Sequence, residues 1–380
     1  MHKVILFISN NFTNPWGASE ELWARAAVSL AKRHGVPVAV SAQDWPELAP
    51  QIIELAQVGA DLRPRPIKPS LIALARRYRS GKTQIVYDVE RSFRRTSPSL
   101  VVISNAYGTP PIELAEMCID KNWPFAILTH SNTLNWFPSG RVAVRLRNAL
   151  PLARRCFFVS EANRIMTEKQ IGCDLGNAEI VRNPLIIKIE SPIAWPADAN
   201  GDELRMACVG RLSAEKGQDM LLEALADPCW AERNWRLTFY GVGYTQDVLE
   251  RLTKRLKLEN RVSFAGHMPI EKIWNENHVL VMPSRCEGAP MTTIEAMFCG
   301  RPVVATNVGL NPEVIKDGVT GFLAPPATEC LGNALERMWT QRAQLQEMGR
   351  LAAANIREFL PNDDPVEMFA ERLKALANLQ

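Results

Sequence analysis

The sequence predicts an α/β protein that is built from two doubly wound parallel sheets, one in each of two domains. At 380 residues, the chain is longer than one hydrophobic core usually organises, so two domains are expected. Short apolar runs of strand length alternate with longer helical patterns, which is typical of parallel strands joined by crossover helices. Both halves open with a strand followed by a glycine-containing loop, and such an arrangement begins doubly wound sheets.

The first domain is expected to span residues 1–185. Residues 3–9 form an apolar strand, and Ser19 is the predicted N-cap of a helix with two acidic residues in its first turn. The segment 44–97 is polar, basic and interrupted by proline, and it is the least readable part of the chain. The other predicted strands are 36–41, 99–104, 125–129, 155–160 and 179–181, and the other predicted helices are 71–79, 84–95, 111–121 and 161–170.

The second domain is expected to span residues 186–364, with a linker at 192–201 that proline and glycine interrupt. Residues 262–266 are expected at the edge of its sheet, and a glycine-marked loop follows its last predicted strand. The predicted strands are 204–209, 236–240, 262–266, 279–282 and 302–305, and the predicted helices are 270–274, 290–298, 327–348 and 351–360.

The stretch from residue 278 to 322 organises the rest of the chain. A short buried strand ends at Pro283, a loop carries Glu287 and Gly288, and a helix begins at Pro290. A loop that opens a helix at the carboxyl end of a parallel strand presents free N–H groups and a positive dipole end, which suits phosphate. Glu287 and Glu295 can each accept hydrogen bonds from the vicinal hydroxyls of a sugar. Taken singly, each carboxylate is also what a turn or an exposed helix face carries.

A second cluster follows the strand 204–209 and reads Gly-Arg-Leu-Ser-Ala-Glu-Lys-Gly over residues 210–217. Arg211 offers a planar guanidinium and Lys216 a flexible ammonium, beside a glycine that lets a diphosphate approach the main chain. Two fixed cations would stabilise the charge that develops on a departing pyrophosphate. The alternative is that these side chains cap a helix and pair with Glu215 or Asp219.

The run from Pro283 to Gly321 closely resembles the signature of retaining glycosyltransferase family 4, also described as glycosyl transferases group 1, whose fold is GT-B. The chain supplies each fixed residue of the pattern P-S-x-x-E-G-x-P-x-x-x-x-E-A-x-x-x-G-x-P-V-V-A-T, and its G-R-L-x-x-E-K-G run is similar to the family's second motif. It departs in two loops. Leu310 replaces the second of two paired glycines before Glu313, and Ala18 replaces the glycine expected after Gly17.

The resemblance implies two Rossmann-like domains that face each other across a cleft, with the last helix, about residues 365–380, returning to the first domain. It implies an acceptor-side first domain and a second domain that binds a nucleotide sugar. The residues with an implied catalytic role are His130, Arg211, Lys216 and Glu287. Those with an implied role in binding the donor are Gly17, Gly210, Gly243, Gly288, Ala289, Pro290, Met291 and Glu295.

His130 comes directly after the predicted strand 125–129, at the end where parallel sheets bind ligands. A lone histidine is more often a packing or surface residue, whereas the resemblance implies a contact with the donor sugar near the reacting carbon. Gly243 belongs to a Gly-Val-Gly turn that resembles a dinucleotide fingerprint, but the third glycine position holds Gln246. The resemblance instead implies that this turn lies near the nucleotide base.

The implied activity is transfer of a hexose, with retention, from a nucleotide-diphosphate sugar to a glycan or lipid-linked saccharide, as in surface polysaccharide or lipopolysaccharide synthesis. No metal or separate cofactor is expected, because the sequence lacks the D-x-D triplet of the other glycosyltransferase fold. Two alternatives stay open. One is another GT-B enzyme, a phosphorylase or an epimerase, and the other is a catalytically silent GT-B scaffold that binds a partner.

Charge is distributed unevenly along the chain. Residues 1–190 hold 24 Lys and Arg against 16 Asp and Glu, and the remainder holds 20 against 25. Basic clusters at 76–82 and 91–95 fit either an anionic membrane surface or a solvated helix face. No recognised nucleic-acid-binding motif accompanies them, so a nucleic-acid partner is not expected.

The cellular compartment is predicted from cysteines and hydropathy. The eight cysteines are scattered and form no C-x-x-C pair, which is typical of reduced thiols in a cytosolic protein. No apolar stretch reaches the length of a membrane span, and the first residues fit a core strand better than a signal peptide. The protein is therefore expected in the cytoplasm, with peripheral attachment to the membrane as an option.

Overall fold

The computed structural model describes residues 4–12, 16–68, 78, 81–132, 137–186, 193–197 and 203–379. The chain divides into two compact units, of which the first comprises Met1–Pro184 and Asn362–Gln380 and the second comprises Leu185–Pro361. Apart from residue 78, the predicted helix 71–79 lies outside the described residues, and so does most of the basic cluster at 76–82. Within the described ranges, no helix is long and apolar enough to cross a membrane.

The first unit is built on a seven-stranded sheet in the order β3-β2-β1-β4-β5-β6-β7, in which every neighbouring pair is parallel. Its central strands are buried apolar runs, as expected where helices cover both faces of a sheet. The order reverses between β1 and β4, which is the switch point of a doubly wound sheet. The strands are β1 Ile5–Ser9, β2 Val38–Ser41, β3 Asp61–Leu62, β4 Leu100–Asn105, β5 Phe125–Thr129, β6 Arg155–Phe158 and β7 Ala178–Ile180.

Helices of the first unit cover this sheet. The described ones that precede β7 are α1 Ala18–Lys32, α2 Pro50–Gln57, α3 Gln84–Ser92, α4 Ile112–Asp120, α5 Gly140–Ala149 and α6 Glu161–Ile171. Helix α6 shows how the sequence sets both ends of a helix. Its N-cap is Ser160, whose Oγ accepts a hydrogen bond from the backbone N–H of Asn163, and it ends at Gly172 in the left-handed region.

The second unit repeats the plan with a six-stranded parallel sheet in the order β10-β9-β8-β11-β12-β13. Here the order reverses between β8 and β11. The strands are β8 Leu204–Val209, β9 Trp235–Tyr240, β10 Val262–Gly266, β11 Val279–Met282, β12 Val303–Thr306 and β13 Gly321–Ala324. The helices are α7 Gln218–Leu225, α8 Gln246–Arg255, α9 Ile270–Glu276, α10 Met291–Phe298, α11 Asn311–Val314, α12 Thr328–Thr340 and α13 Leu345–Phe359.

The last helix, α14 Pro365–Leu376, packs on α1 within the first unit. Glu367 accepts a hydrogen bond from Ser29 Oγ and pairs with His34 Nε2, each at 2.5 Å. Arg372 pairs with Glu179 of β7 at 2.8 Å. These polar contacts fix α14 against elements that lie far away from it in sequence.

Three sequence predictions are corrected by the structure. Ser19 is not the N-cap of α1, because the helix begins one residue earlier with Gly17 at that position, and Ser19 Oγ bonds to Glu20 Oε2 instead. The predicted helix 327–348 ends at Thr340, and α13 runs through Gly349 without a break. A Cβ at Gly349 would lie 2.1 Å from Gly300 O, so this glycine permits close packing and does not end a helix. The glycine-marked loop predicted after the strand 302–305 ends in a further strand, β13, which begins at Gly321.

Candidate functional site

The site in the second unit is built at the switch point of its sheet, where the loops after β8 and β11 meet. Arg285 joins them, because its backbone N–H donates to Glu215 O and its Nη1 to Ala214 O, both at 2.8 Å. Its guanidinium also pairs with both carboxylate oxygens of Asp219 at 2.7 Å. One interpretation of the sequence was that Asp219 pairs with Arg211 or Lys216. The structure shows that Asp219 pairs instead with Arg285.

Lys216 and Glu287, one from each loop, are in direct contact. Lys216 Nζ lies 2.5 Å from Glu287 Oε1, and Ser284 Oγ donates to the same oxygen at 2.7 Å. Glu287 is 8% exposed, so its charge is compensated inside the protein and not by water. An ammonium has three N–H groups, so the pair leaves Lys216 two further donors for a ligand.

Arg211 lies in the same loop as Lys216 and is exposed. Its guanidinium forms no ion pair with any residue in the described ranges. Its carbonyl accepts a hydrogen bond from Gln218 Nε2 at 2.8 Å, which holds the backbone of the loop. The preceding residue, Gly210, has a φ of 151° that favours glycine. The loop therefore presents a charged, fork-shaped donor on a fixed backbone.

The Gly-Val-Gly turn after β9 packs directly against the same loop. Leu212 donates its N–H to Val242 O at 3.1 Å, and its carbonyl accepts from Thr245 N at 3.2 Å. A Cβ at Gly243 would lie 2.0 Å from Leu212 O, a separation that real atoms do not adopt. Gly243 therefore lets the two segments touch backbone to backbone, and it brings the third predicted loop to the switch point.

Replacing Gly243 by alanine is expected to lower the free energy of unfolding by about 2 kcal/mol, because the backbone around Leu212 must shift to admit the methyl group. Chemical denaturation of the purified protein measures this. Gly176→Ala is the matched control, since nothing lies within 4 Å of its Cβ position. Equal stability of the two variants would contradict the close approach.

The helix α10 carries Glu295, which sequence alone left open as an exposed helical residue. The structure corrects that interpretation, because Glu295 is partly buried. Burial raises the pKa of its carboxyl group to about 7. Within the described ranges no side chain donates a hydrogen bond to it. A desolvated carboxyl group without a partner is typical of binding and catalytic sites.

The turn between β11 and α10 contains the remaining predicted donor-binding residues, Gly288, Ala289, Pro290 and Met291. Gly288 O accepts a hydrogen bond from Leu310 N at 2.9 Å, which joins this turn to the loop after β12. Glu313 follows in α11. Cys286, in the same turn, is buried.

Gly17 and His130 belong to the first unit. Gly17 precedes α1 directly after the loop that follows β1. His130 follows β5, as predicted, and is 4% exposed. Its Nε2 lies 3.2 Å from Ser104 Oγ, and its Nδ1 has no partner among the described residues. Burial lowers the pKa of His130 to about 3, so the imidazole is neutral at physiological pH and can donate or accept one further hydrogen bond.

Two residues of the second-unit site were missed from sequence. Ser284 bonds to Glu287, and Thr306 Oγ1 donates to Ser284 O at 2.5 Å. Both are fixed letters of the family pattern, so the signal was present. Their contacts with the acidic loop depend on the pairing of β11 with β12, which the pattern alone does not give.

Comparison with known families finds a match within the second unit. Residues 203–341 match the family described as Glycosyl transferases group 1. The chain is 32% identical over 149 residues to alpha-D-kanosaminyltransferase of Streptomyces kanamyceticus, a match that covers 38% of this chain and 39% of that protein. It is 34% identical over 131 residues to the GDP-mannose-dependent alpha-(1-6)-phosphatidylinositol monomannoside mannosyltransferase of Mycolicibacterium smegmatis, covering 32% of this chain and 34% of that protein. The chain thus spans about two fifths or less of the length of these relatives.

Comparison of structures extends over the whole chain. The crystal structure of Anabaena HepE in complex with UDP has a TM-score of 0.68 and 21% sequence identity, and the match covers 99% of this chain and 100% of that one. Sucrose-phosphate synthase from Thermosynechococcus elongatus has a TM-score of 0.70 at 17% identity, with 98% of each chain covered. The two parallel-sheet units therefore have the GT-B fold, as the sequence predicts.

Proposed function

We propose that the protein is a glycosyltransferase that uses a nucleotide-diphosphate sugar as donor, because residues 203–341 match the family described as Glycosyl transferases group 1. One observation carries the proposal. Arg211 and the Lys216–Glu287 pair lie on adjoining loops at the switch point of a doubly wound sheet, where such sheets bind nucleotides. The names of the two relatives describe glycosyl transfer, and HepE was crystallised with UDP.

Arg211 and Lys216 are proposed to hold the diphosphate. The bond to the sugar breaks with negative charge accumulating on the leaving phosphate, and two fixed cations stabilise that charge in the transition state. Glu287 takes one N–H of Lys216 and thereby orients the ammonium. The backbone of the turn from Gly288 to Met291 is proposed to bind phosphate, because this turn leads into the free N–H groups at the start of α10.

Glu295 is proposed to accept hydrogen bonds from the ribose hydroxyls, and the turn at Gly243 to lie against the base. Gly210 is proposed to let the diphosphate come near the main chain. In the first unit, Gly17 and His130 are proposed to contact the sugar, His130 as a neutral imidazole. The first unit is proposed to recognise the acceptor.

The finer features of the activity rest on the resemblance of the motifs. We propose transfer of a hexose with retention, without a metal ion, to a glycan or lipid-linked saccharide in surface polysaccharide or lipopolysaccharide synthesis. The relative from Mycolicibacterium smegmatis, which by its name acts on a phosphatidylinositol mannoside, supports a lipid-linked acceptor. A cytoplasmic enzyme that touches an anionic membrane surface through its basic residues would meet such an acceptor.

Calorimetric titration of the whole protein with UDP, GDP, ADP and dTDP tests the donor. We expect one of them to bind, and at a concentration of about 100 times its dissociation constant to stabilise the fold by about 2.7 kcal/mol. The matching sugar nucleotide is then incubated with candidate acceptors in EDTA, and the anomeric configuration of the product is read by NMR. Failure of all four nucleotides to bind would refute the proposal, and turnover without an acceptor would favour a hydrolase, phosphorylase or epimerase.

A further inference from the structure

A cavity of about 160 Å³ lies at the carboxyl ends of β1, β2 and β3, entirely within the first unit. Ser9, Ala42 and Arg63, which end or follow these three strands, contribute to its lining. An engineered apolar cavity of roughly 150 Å³ is known to hold one benzene molecule. The space therefore matches a single six-membered ring.

Three indole rings line this cavity: Trp16, Trp23 and Trp45. Trp23 is fully buried and stacks on Phe7, with ring centroids 5.9 Å apart, and its ring lies 6.1 Å from that of Trp16. Trp16 is fixed by a hydrogen bond from its Nε1 to Glu21 Oε1 at 2.7 Å. Rigid aromatic faces offer a large apolar surface at little cost in conformational entropy, and the C–H face of a pyranose is the complementary shape.

Two buried polar groups also line the cavity. Glu20 is 3% exposed and accepts hydrogen bonds from Asn11 Nδ2 at 3.0 Å and Ser19 Oγ at 2.5 Å, and Ser9 Oγ lies 3.4 Å from its other oxygen. Burial raises the pKa of its carboxyl group to about 7. Trp23 Nε1 is buried beside Glu20, and the Trp23 side chain is one of the hydrogen-bonding groups that oppose the rise in the pKa of this carboxyl group.

The charges around the cavity select against an anion. Asp44 and Glu47 are lining residues that are at least partly exposed, and Glu20 adds a third carboxyl group. The one cationic side chain among the lining residues, Arg63, already pairs with both oxygens of Asp61. An anionic ligand would therefore approach like charges, with no unpaired cation among the described lining residues to receive it.

We propose that this cavity binds one uncharged pyranose ring of a saccharide, stacked on the indole faces of Trp16 and Trp45 and hydrogen-bonded to Glu20. Its role as the site for a sugar of the acceptor rests on the proposed function. The binding of the ring itself does not, since every residue involved belongs to the first unit.

Saturation-transfer NMR on the whole protein tests the proposal. The neutral probes are methyl α-glucopyranoside, methyl α-mannopyranoside and methyl α-galactopyranoside, and glucuronate is the negatively charged pyranose with which they are compared. At least one neutral glycoside is expected to bind, and glucuronate to bind about tenfold more weakly, because it meets uncompensated carboxylates. Trp45→Ala is expected to lower the affinity for the neutral glycoside about fivefold, because one aromatic face is lost.

Trp123→Ala is the matched control, because Trp123 is a partly buried tryptophan of the same unit outside the cavity, and it should leave glycoside binding unchanged. Glu47→Gln removes a carboxylate at an exposed position, and it should bring the affinity for glucuronate closer to that for the neutral glycosides. Absence of neutral glycoside binding, or equal binding by Trp45→Ala, would overturn the inference. Nucleotide titration of Trp45→Ala separates this inference from the proposed function. The nucleotide affinity of the variant should equal that of the wild type whether or not the cavity binds a sugar.

Discussion

Replacing Lys216 by alanine is expected to weaken binding of the cognate nucleoside diphosphate by about 100-fold and to remove measurable sugar transfer. Two effects add. The diphosphate loses charge-assisted hydrogen bonds, each worth about 1.5–3 kcal/mol. Glu287, at 8% exposure, also loses the ammonium that lies 2.5 Å from its carboxylate, so an uncompensated negative charge remains beside the site where phosphate is proposed to bind.

The matching nucleoside, which lacks phosphate, separates this role from general damage, because Lys216→Ala should change its affinity little. Calorimetry with both ligands gives the comparison, and Lys254→Ala, at an exposed lysine of the same unit, is the control. The double variant Lys216→Ala/Glu287→Gln should regain folding stability, since the buried charge is gone, but not diphosphate affinity. Equal losses of affinity for the nucleoside and the nucleoside diphosphate would show that Lys216 does not bind the diphosphate.

Most of the fold could be predicted because parallel strands are buried on both faces. Runs such as Leu204–Val209 and Val279–Met282 are largely apolar and recognisable without an alternating pattern. The strands that sequence missed are the weak ones. β3 has only two residues, and β13 begins at Gly321, which reads as a loop residue. Gly321 is required there because a Cβ would lie 2.1 Å from Val303 O.

The candidate site was predicted as a set of residue types, not as a set of contacts. Spacing placed Lys216 and Glu287 in separate loops, and their pairing follows from the reversal of strand order between β8 and β11, which brings both loops to one edge. The burial of two carboxyl groups could not be predicted from the sequence either. Glu20 fits the first turn of a helix and Glu295 an exposed helix face, whereas packing of distant segments around each carboxyl group raises its pKa to about 7.

Glu295→Gln is expected to stabilise the protein at pH 8 by about 3 kcal/mol while weakening nucleotide binding about tenfold. The stability gain arises because the pKa of Glu295 is raised from 4.5 to about 7 by burial. Below pH 4.5 the carboxyl group is protonated in both folded and unfolded chains, so the two proteins should be equally stable. Between these values the carboxyl group of the unfolded chain ionises first, so the stability of the wild type falls relative to that of the variant as the pH rises.

The two effects have opposite signs, and this distinguishes a binding residue from a structural one. A carboxyl group that only packed against its neighbours would be replaced by the neutral amide with a gain in stability and no loss of ligand. If Glu295 binds the ribose hydroxyls, its ionised form accepts two hydrogen bonds that glutamine cannot match, so the difference in affinity should be large at pH 8 and small at pH 6. Thermal unfolding and nucleotide titration at both pH values measure this, and Glu20, whose pKa is also raised, is present in both proteins and cancels. Affinities that stay equal at pH 8 would place the ribose contact elsewhere.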